Sequence, residues 1–305
     1  MSIYQVLTLF LVIVHITLGA PFEDEITYMP GLNKQPYWKQ YSGYLNGTGT
    51  RKLHYWFIQS ANNPSQDPLV LWMNGGPGCS SDLGLLSEHG PFRAANMIYL
   101  EAPAGVGFSY SDDKDYKTDD DQVSLDNYMA LKNFFLKFPE YMGNDFYISG
   151  ESYGGIYVPT LSARVVDDVI INFKGFIVGN GLSDDNMNTN SLIYFAYYHG
   201  LLTTAQNIVY ASGLNEYNLY ATCDGGSGIW FDYETRKVAY SHHMWQTKNN
   251  NYLSKKMKQF VNVKNHLRLT PPCLNYSNVV MYMNTAEVRK QLHIPDIVQK
   301  WDVCR

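Results

Sequence analysis

An α/β fold built on a mostly parallel sheet is what the sequence predicts, on three observations. Two short, unbroken apolar runs, at residues 69–73 and 97–100, each end in a glycine-rich segment, the pattern of strands covered on both faces. Between strand signals, residues 123–138 carry Leu125, Tyr128, Met129, Leu131, Phe134 and Phe135 at helical spacing. A third strand signal, at 144–149, runs into Gly150-Glu151-Ser152-Tyr153-Gly154-Gly155 and then into an apolar helical run. Strands alternating with helices make a parallel sheet flanked by helices.

In chain order, residues 1–20 hold an apolar run, Leu7 to Val14, that ends in Thr17-Leu18-Gly19-Ala20 before Pro21 and the acidic Glu23-Asp24-Glu25. This reads as a secretory signal peptide. A membrane anchor is the alternative, disfavoured because a spanning helix needs roughly 20 apolar residues. Residues 41–45 and 52–58 read as paired strands joined by a turn at 46–50. The first buried strand then ends in Asn74-Gly75-Gly76-Pro77-Gly78-Cys79-Ser80-Ser81, and the second in Glu101-Ala102-Pro103-Ala104-Gly105-Val106-Gly107. Residues 111–121 form a charged loop ahead of the helix, and 176–178 read as a further strand. From about residue 186 to 278 aromatic and polar residues mix, which suits a cap inserted into the core, and 285–293 resume a helical pattern. The expected organisation is a signal at 1–20, core at 21–185, cap at 186–278 and a return to the core at 279–305.

Composition excludes several functions. Charged residues are 17% and aromatic residues 15%, with 25 tyrosines, as in a globular and not a disordered chain. A net charge of −5 gives no electrostatic case for nucleic acid or an anionic membrane. Cys79, Cys223, Cys273 and Cys304 allow three pairings in an oxidising compartment, and none lies in a C-x-x-C. Asn46-Gly47-Thr48 and Asn275-Tyr276-Ser277 are glycosylation sequons, in keeping with a secreted chain. The basic stretch at 248–268 reads first as a solvated face. Its sharper reading is a loop open to proteolytic nicking.

Strand, G-x-S-x-G, helix is the setting that raises a serine hydroxyl above a sheet, so Ser152 is the candidate nucleophile. The flanking glycines are expected where neighbouring backbone leaves no room for a Cβ. A glycine-rich turn after a core strand is the plainer alternative. Two glycine-rich loops after buried strands, one holding such an elbow, make the α/β-hydrolase arrangement.

Three motifs carry the match further. Trp72-Met73-Asn74-Gly75-Gly76-Pro77-Gly78-Cys79-Ser80-Ser81, Pro103-Ala104-Gly105-Val106-Gly107-Phe108-Ser109-Tyr110 and Gly150-Glu151-Ser152-Tyr153-Gly154-Gly155 resemble the serine carboxypeptidase family. Tyr194-Phe195-Ala196-Tyr197-Tyr198-His199-Gly200-Leu201-Leu202 and Trp301-Asp302-Val303-Cys304 extend the likeness over nearly all of residues 22–305. The resemblance implies that Ser152 attacks the scissile carbonyl and that the backbone N–H groups of Gly76 and Tyr153 form the oxyanion hole. It implies that Asn74, Glu88 and Glu151 hold the substrate's free carboxylate; alone, Glu88 would read as a surface helix residue. Two facing carboxyls accept an anion only if one keeps a proton, so acidic pH should favour the reaction. It pairs Cys79 with Cys304 and Cys223 with Cys273, the first worth roughly 4–5 kcal/mol in the chain-entropy model. Any fragments of a nicked cap would stay joined through Cys223 and Cys273. The implied substrate is a peptide or protein C-terminus, in the secretory pathway, lysosome or extracellular space, with no cofactor and no metal. A homodimer and lysosomal hydrolase partners are implied by resemblance alone.

The same resemblance exposes gaps. The family's acid and histidine follow the serine, the histidine in a G-x-G-H-x-x-P setting that does not occur here. His199, His242, His243, His266 and His293 read as structural or surface residues. The stretches between Phe92 and Met97 and between Leu202 and Leu214 are short beside the family pattern. The expectation is a chain that stops before the last strands and the triad partners, through an incomplete or mis-spliced gene model, and that is inactive as written. The rivals are a secreted binding protein that kept the pocket and lost the chemistry, and a protective scaffold for other hydrolases.

Overall fold

The computed structural model describes residues 19–90, 94–184, Met187, Asn188, Ser191, Phe195, Tyr198, His199, the backbone of 229–232 and 237–240, and residues 275–305. The expected signal peptide (but for its last two residues), the basic stretch, Cys223, Cys273, His242, His243 and His266 lie outside them. By its internal contacts the chain divides into one unit of Met1–Gly181 with Val279–Arg305 and another of Leu182–Asn278.

In the first unit, β1 (Gln40–Asn46) and β2 (Arg51–Ile58) form the expected hairpin, antiparallel with Asn46 opposite Lys52. β3 (Leu69–Met73) lies between β4 (Asn96–Leu100) and β6 (Phe146–Glu151), parallel to both, and β7 (Phe173–Gly179) follows β6 in parallel. The order is β1-β2-β4-β3-β6-β7, with the short β5 (Tyr110–Ser111) on β2. The sheet is therefore antiparallel at its β1 end and parallel from β4 to β7. Among the described residues β7 has one strand neighbour, and Phe176 and Ile177 on it are exposed.

The unbroken apolar runs became central strands: Leu69, Leu71, Met73 and all of β4 are buried. Helix α1 (Asp120–Lys137) begins slightly earlier than the apolar spacing suggests, because Asp119 caps it by accepting from Gln122 N at 2.8 Å. Asp120 and Asp121 in its first turn and Lys137 in its last suit the helix dipole. Its face of Val123, Ala130, Leu131, Phe134 and Phe135 meets the sheet in one core with Tyr41, Phe57 and Ile148. Phe57 packs edge-on against Phe134, Phe138 and Tyr141, each pair worth about 1 kcal/mol beyond its burial.

The chain's last part contributes α3 (Ser277–Met283) and α4 (Ala286–Gln291), the latter capped by Thr285. α4 lies within the helical pattern at 285–293, whereas α3, short and with Met283 its one buried residue, has no counterpart in the sequence pattern. Trp301 then anchors the final residues: its N–H donates to Asn284 Oδ1, and Asn284 Nδ2 donates back to the Trp301 carbonyl, both at 2.8 Å. In the second unit the described backbone includes an antiparallel pair, β8 (Ile229–Asp232) and β9 (Lys237–Tyr240), which periodicity did not foretell.

Candidate active site

β3 and β6 run side by side with Met73 opposite Gly150, so the segments leaving their carboxyl ends meet. After Glu151 the chain turns at Ser152, whose φ of 58° is left-handed, and α2 (Gly154–Val165) starts two residues later. A non-glycine residue held there costs of order 1–3 kcal/mol, and such strain collects at functional turns. The turn is fixed on both sides: Ser152 N donates to the Gly179 carbonyl at 3.1 Å, and Gly155 N donates to the Ser152 carbonyl at 2.9 Å.

Crowding sorts the glycines. A Cβ on Gly150 would sit 2.6 Å from the Met73 carbonyl oxygen, and one on Gly75 would sit 2.5 Å from Tyr153 N and 2.8 Å from Ser152 Cβ. Both positions exclude any side chain. Gly154 differs from expectation: its Cβ would make only ordinary contacts, the nearest at 3.5 Å.

The segment Asn74 to Ser81 folds over the elbow. Gly76 has a φ of 110°, Cys79 N donates to the Gly75 carbonyl at 3.1 Å, and Gly78 N donates to the Tyr157 hydroxyl at 3.3 Å. A Cys79–Cys304 disulfide ties it to the far end of the chain, alongside Ser80 N to the Val303 carbonyl and Arg305 N to the Gly78 carbonyl, each at 2.8 Å. Gly75 brings its own segment, with Gly76 next in sequence, against Tyr153 N.

Asn74, Glu88 and Glu151 come together. Asn74 Nδ2 donates to Glu88 Oε1 at 3.0 Å and to Glu151 Oε1 at 3.3 Å. Its Oδ1 accepts from Trp72 Nε1 at 2.7 Å and Gly84 N at 3.1 Å, so the amide cannot flip. Glu88 sits on a π-helical turn, Gly84–His89, that the sequence reading took only as a surface helix. The residue is exposed, yet its carboxyl turns inward onto Asn74. Burial first, and then the facing Glu151 charge, raise its pKa above the usual carboxylate range, against the Asn74 hydrogen bond, which lowers it.

Among the described residues, no side chain hydrogen-bonds to the Ser152 hydroxyl. His293 Nδ1 bonds the Ser42 carbonyl at 2.9 Å, and His199 Nδ1 bonds the Phe195 carbonyl at 2.8 Å with its ring stacked on Phe195. Both are structural contacts. Both sequon asparagines, Asn46 and Asn275, are exposed.

Residues 30–305 match the family model described as serine carboxypeptidase. The chain belongs to that family. Among curated serine carboxypeptidase relatives, the mouse lysosomal protective protein is 44% identical across 94% of this chain and 70% of its own length. The Caenorhabditis elegans serine carboxypeptidase ctsa-4.1 is 38% identical across 100% of this chain and 73% of its own. A prohormone-processing carboxypeptidase from Saccharomyces cerevisiae superposes with a TM-score of 0.63 at 21% identity, covering 94% of this chain and 72% of that one. That likeness shows the fold, an α/β-hydrolase-type sheet, and the family makes the chain a hydrolase by descent. One buried cluster near this site, around His54, Asp82 and Glu101, was invisible in the sequence. His54 sits in a strand pattern and Asp82 just past a glycine-rich loop, neither with a motif of its own.

Proposed function

We propose that this site is built to release C-terminal residues from peptides at acidic pH, through an acyl-enzyme on Ser152, once a general base is supplied to that serine. The observation that carries it is Asn74 held between Glu88 and Glu151, one residue ahead of the elbow serine. That arrangement offers an amide donor and a protonated carboxyl to a free carboxylate, while Ser152 faces the bond one residue upstream. Ser152 Oγ would attack that carbonyl, and the N–H groups of Gly76 and Tyr153 would take up the developing oxyanion. Loss of one such donor costs roughly 10²–10³ in rate. Collapse of the tetrahedral species expels the C-terminal residue as its amine, and water then frees the serine.

Proton transfer from Ser152 needs a base and an acid to orient it, and nucleophile and base fail as a unit. The 305 residues by themselves are therefore expected to bind C-termini without turning them over. Peptide–carboxylate recognition without turnover is also what the rival reading, a secreted binding protein, requires. The partner class is peptide or protein C-termini. The mouse relative's lysosomal name and the exposed sequons support a secretory-pathway route ending in the lysosome or outside the cell. Among the described residues no helix is long and apolar enough to cross a membrane.

The test is mass spectrometry of a peptide ladder incubated with these 305 residues at acidic pH, beside Ser152→Ala. No C-terminal shortening is expected from either. Ser152-dependent shortening would overturn the inactivity, and Ser152-independent shortening would overturn the nucleophile assignment.

A further inference from the structure

His54 on β2, Asp82 and Glu101 at the end of β4 are all fully buried, and their ligand atoms lie within 4.8 Å of one another. Proton accounting fixes the combined charge of two of the three. The Ser42 hydroxyl donates to the Leu292 carbonyl at 2.8 Å, so at 2.8 Å from His54 Nε2 it can only accept, and Nε2 carries a proton. Glu101 takes the Phe108 N–H at 2.8 Å on Oε2, and on Oε1 the Trp301 indole N–H at 2.9 Å and the Ser80 hydroxyl. These three donors leave Glu101 Oε2 one position for His54. His54 Nδ1 lies 2.9 Å from Glu101 Oε2, so one proton lies between them. On whichever atom it rests, His54 and Glu101 together are neutral.

Neither oxygen of Asp82 has a donor to accept from; it lies 3.6 Å from His54 Nδ1 and faces Glu101, to which a protonated Asp82 would donate. Ionised, it would leave one uncompensated negative charge with no access to water. The three residues have metal-ligand spacing, but Glu101 is committed to N–H and O–H donors and His54 Nε2 to its proton, so Asp82 alone offers a cation free lone pairs. The groups facing the cluster are the Tyr99 hydroxyl on β4, with Glu88 beyond it, Tyr44 on β1, and Arg289 of α4, whose guanidinium lies 5.2 Å over the Phe108 ring. Arg289 donates to the Gln299 and Val298 carbonyls and leaves Asp82 uncompensated.

We propose that Asp82 is a proton-dependent positioning residue: as a neutral acid beside the hydrogen-bonded His54–Glu101 pair it keeps a buried clasp closed under the Asn74–Ser81 segment, and as a carboxylate it opens that clasp. The clasp reaches the segment through Ser80, whose hydroxyl holds Glu101 and accepts the Trp301 indole N–H at 3.1 Å and Asp82 N at 3.2 Å. Ser81 continues it, its hydroxyl accepting from Asn74 N at 3.1 Å. Burial, then the facing Glu101 charge, raise the Asp82 pKa. Its contribution to stability is thus complete at low pH and is lost as pH rises through the folded-state value. Nothing in the inference depends on turnover at Ser152.

The test follows thermal unfolding of the full 305-residue chain, wild type against Asp82→Asn, from about pH 5 to about pH 8, with long-range ¹H–¹⁵N spectra of His54. The midpoint difference between variant and wild type should grow by at least about 3 °C across that range, since the amide cannot ionise. His54 Nε2 should keep a protonated-type shift in the wild type across the range, since it donates to the Ser42 hydroxyl. Parallel loss of stability in wild type and Asp82→Asn overturns the proposal. Stabilisation of the wild type by added Zn²⁺ or Ca²⁺ that Asp82→Asn removes would make the cluster a cation site, and also overturns it.

Discussion

Replacing Glu88 by glutamine separates that side chain's charge from its shape. Glutamine keeps an oxygen for Asn74 Nδ2, which lies 3.0 Å from Glu88 Oε1, but cannot ionise. A substrate carboxylate entering beside Asn74 meets Glu88 and Glu151 together. Two unit charges about 4 Å apart repel by about 4 kcal/mol at an effective dielectric near 20. Part of the Glu88 side chain is exposed to water, and screening reduces this to about 1–2 kcal/mol, or roughly five- to thirtyfold in Kd. Because its pKa is raised, chiefly by burial, the favourable protonated form persists below that value and is lost as pH rises through it. Calorimetric titration of the chain with a short peptide acid, over a pH series from the carboxylate range to neutrality, reads this out. Wild-type affinity should fall with rising pH by about that factor, while Glu88→Gln should hold its acid-pH affinity. An equal decline in both proteins, or a flat wild-type profile, refutes the shared-proton account of the pocket.

Three further outcomes are expected. Asn74→Ala leaves the Trp72 indole N–H and the Gly84 N–H without their acceptor, and should lower urea-unfolding stability by about 2–4 kcal/mol. Gly75→Ala should be far more destabilising than Gly154→Ala in the same assay, because its Cβ would lie 2.5 Å from Tyr153 N against a nearest contact of 3.5 Å; equal effects would show that the elbow can move aside. Cys304→Ser should cost roughly 5 kcal/mol in the chain-entropy model, since the Cys79–Cys304 bridge closes a loop of 225 residues. A loss well under 2 kcal/mol would mean that the Ser80–Val303 and Gly78–Arg305 hydrogen bonds hold the ends together unaided.

What could be read from the sequence was whatever local chemistry determines. β3 and β6 are short apolar runs ended by glycine-rich turns, and the steric demand at Gly75 and Gly150 leaves its mark in residue type. Asp119 and Thr285 cap their helices through a neighbouring N–H, a local effect that propensity alone places only to within a few residues. The rest is set by distant partners. α3 has one buried residue, Met283, and so no apolar period to detect. His54 looks like any strand position until Glu101, 47 residues on, and Ser42 close around its ring. Glu88 showed the same limit. Its exposure favours the surface reading, and only Asn74, 14 residues earlier, turns its carboxyl into a pocket. The family resemblance, not periodicity, named Asn74, Glu88 and Glu151 as a set, and the geometry brings them within hydrogen-bonding reach.

The central claim is that the pocket beside Ser152 recognises a free C-terminal carboxylate. The direct measurement is the affinity at about pH 5 of one short peptide in two forms, C-terminal acid and C-terminal amide, for the 305-residue chain and for its Glu151→Gln and Asn74→Ala variants. The account predicts that the acid binds at least about tenfold more tightly than the amide, a difference of about 1.4 kcal/mol for a charge-assisted contact, and that Asn74→Ala erases the preference. Equal affinity for acid and amide, unchanged by either substitution, would contradict it.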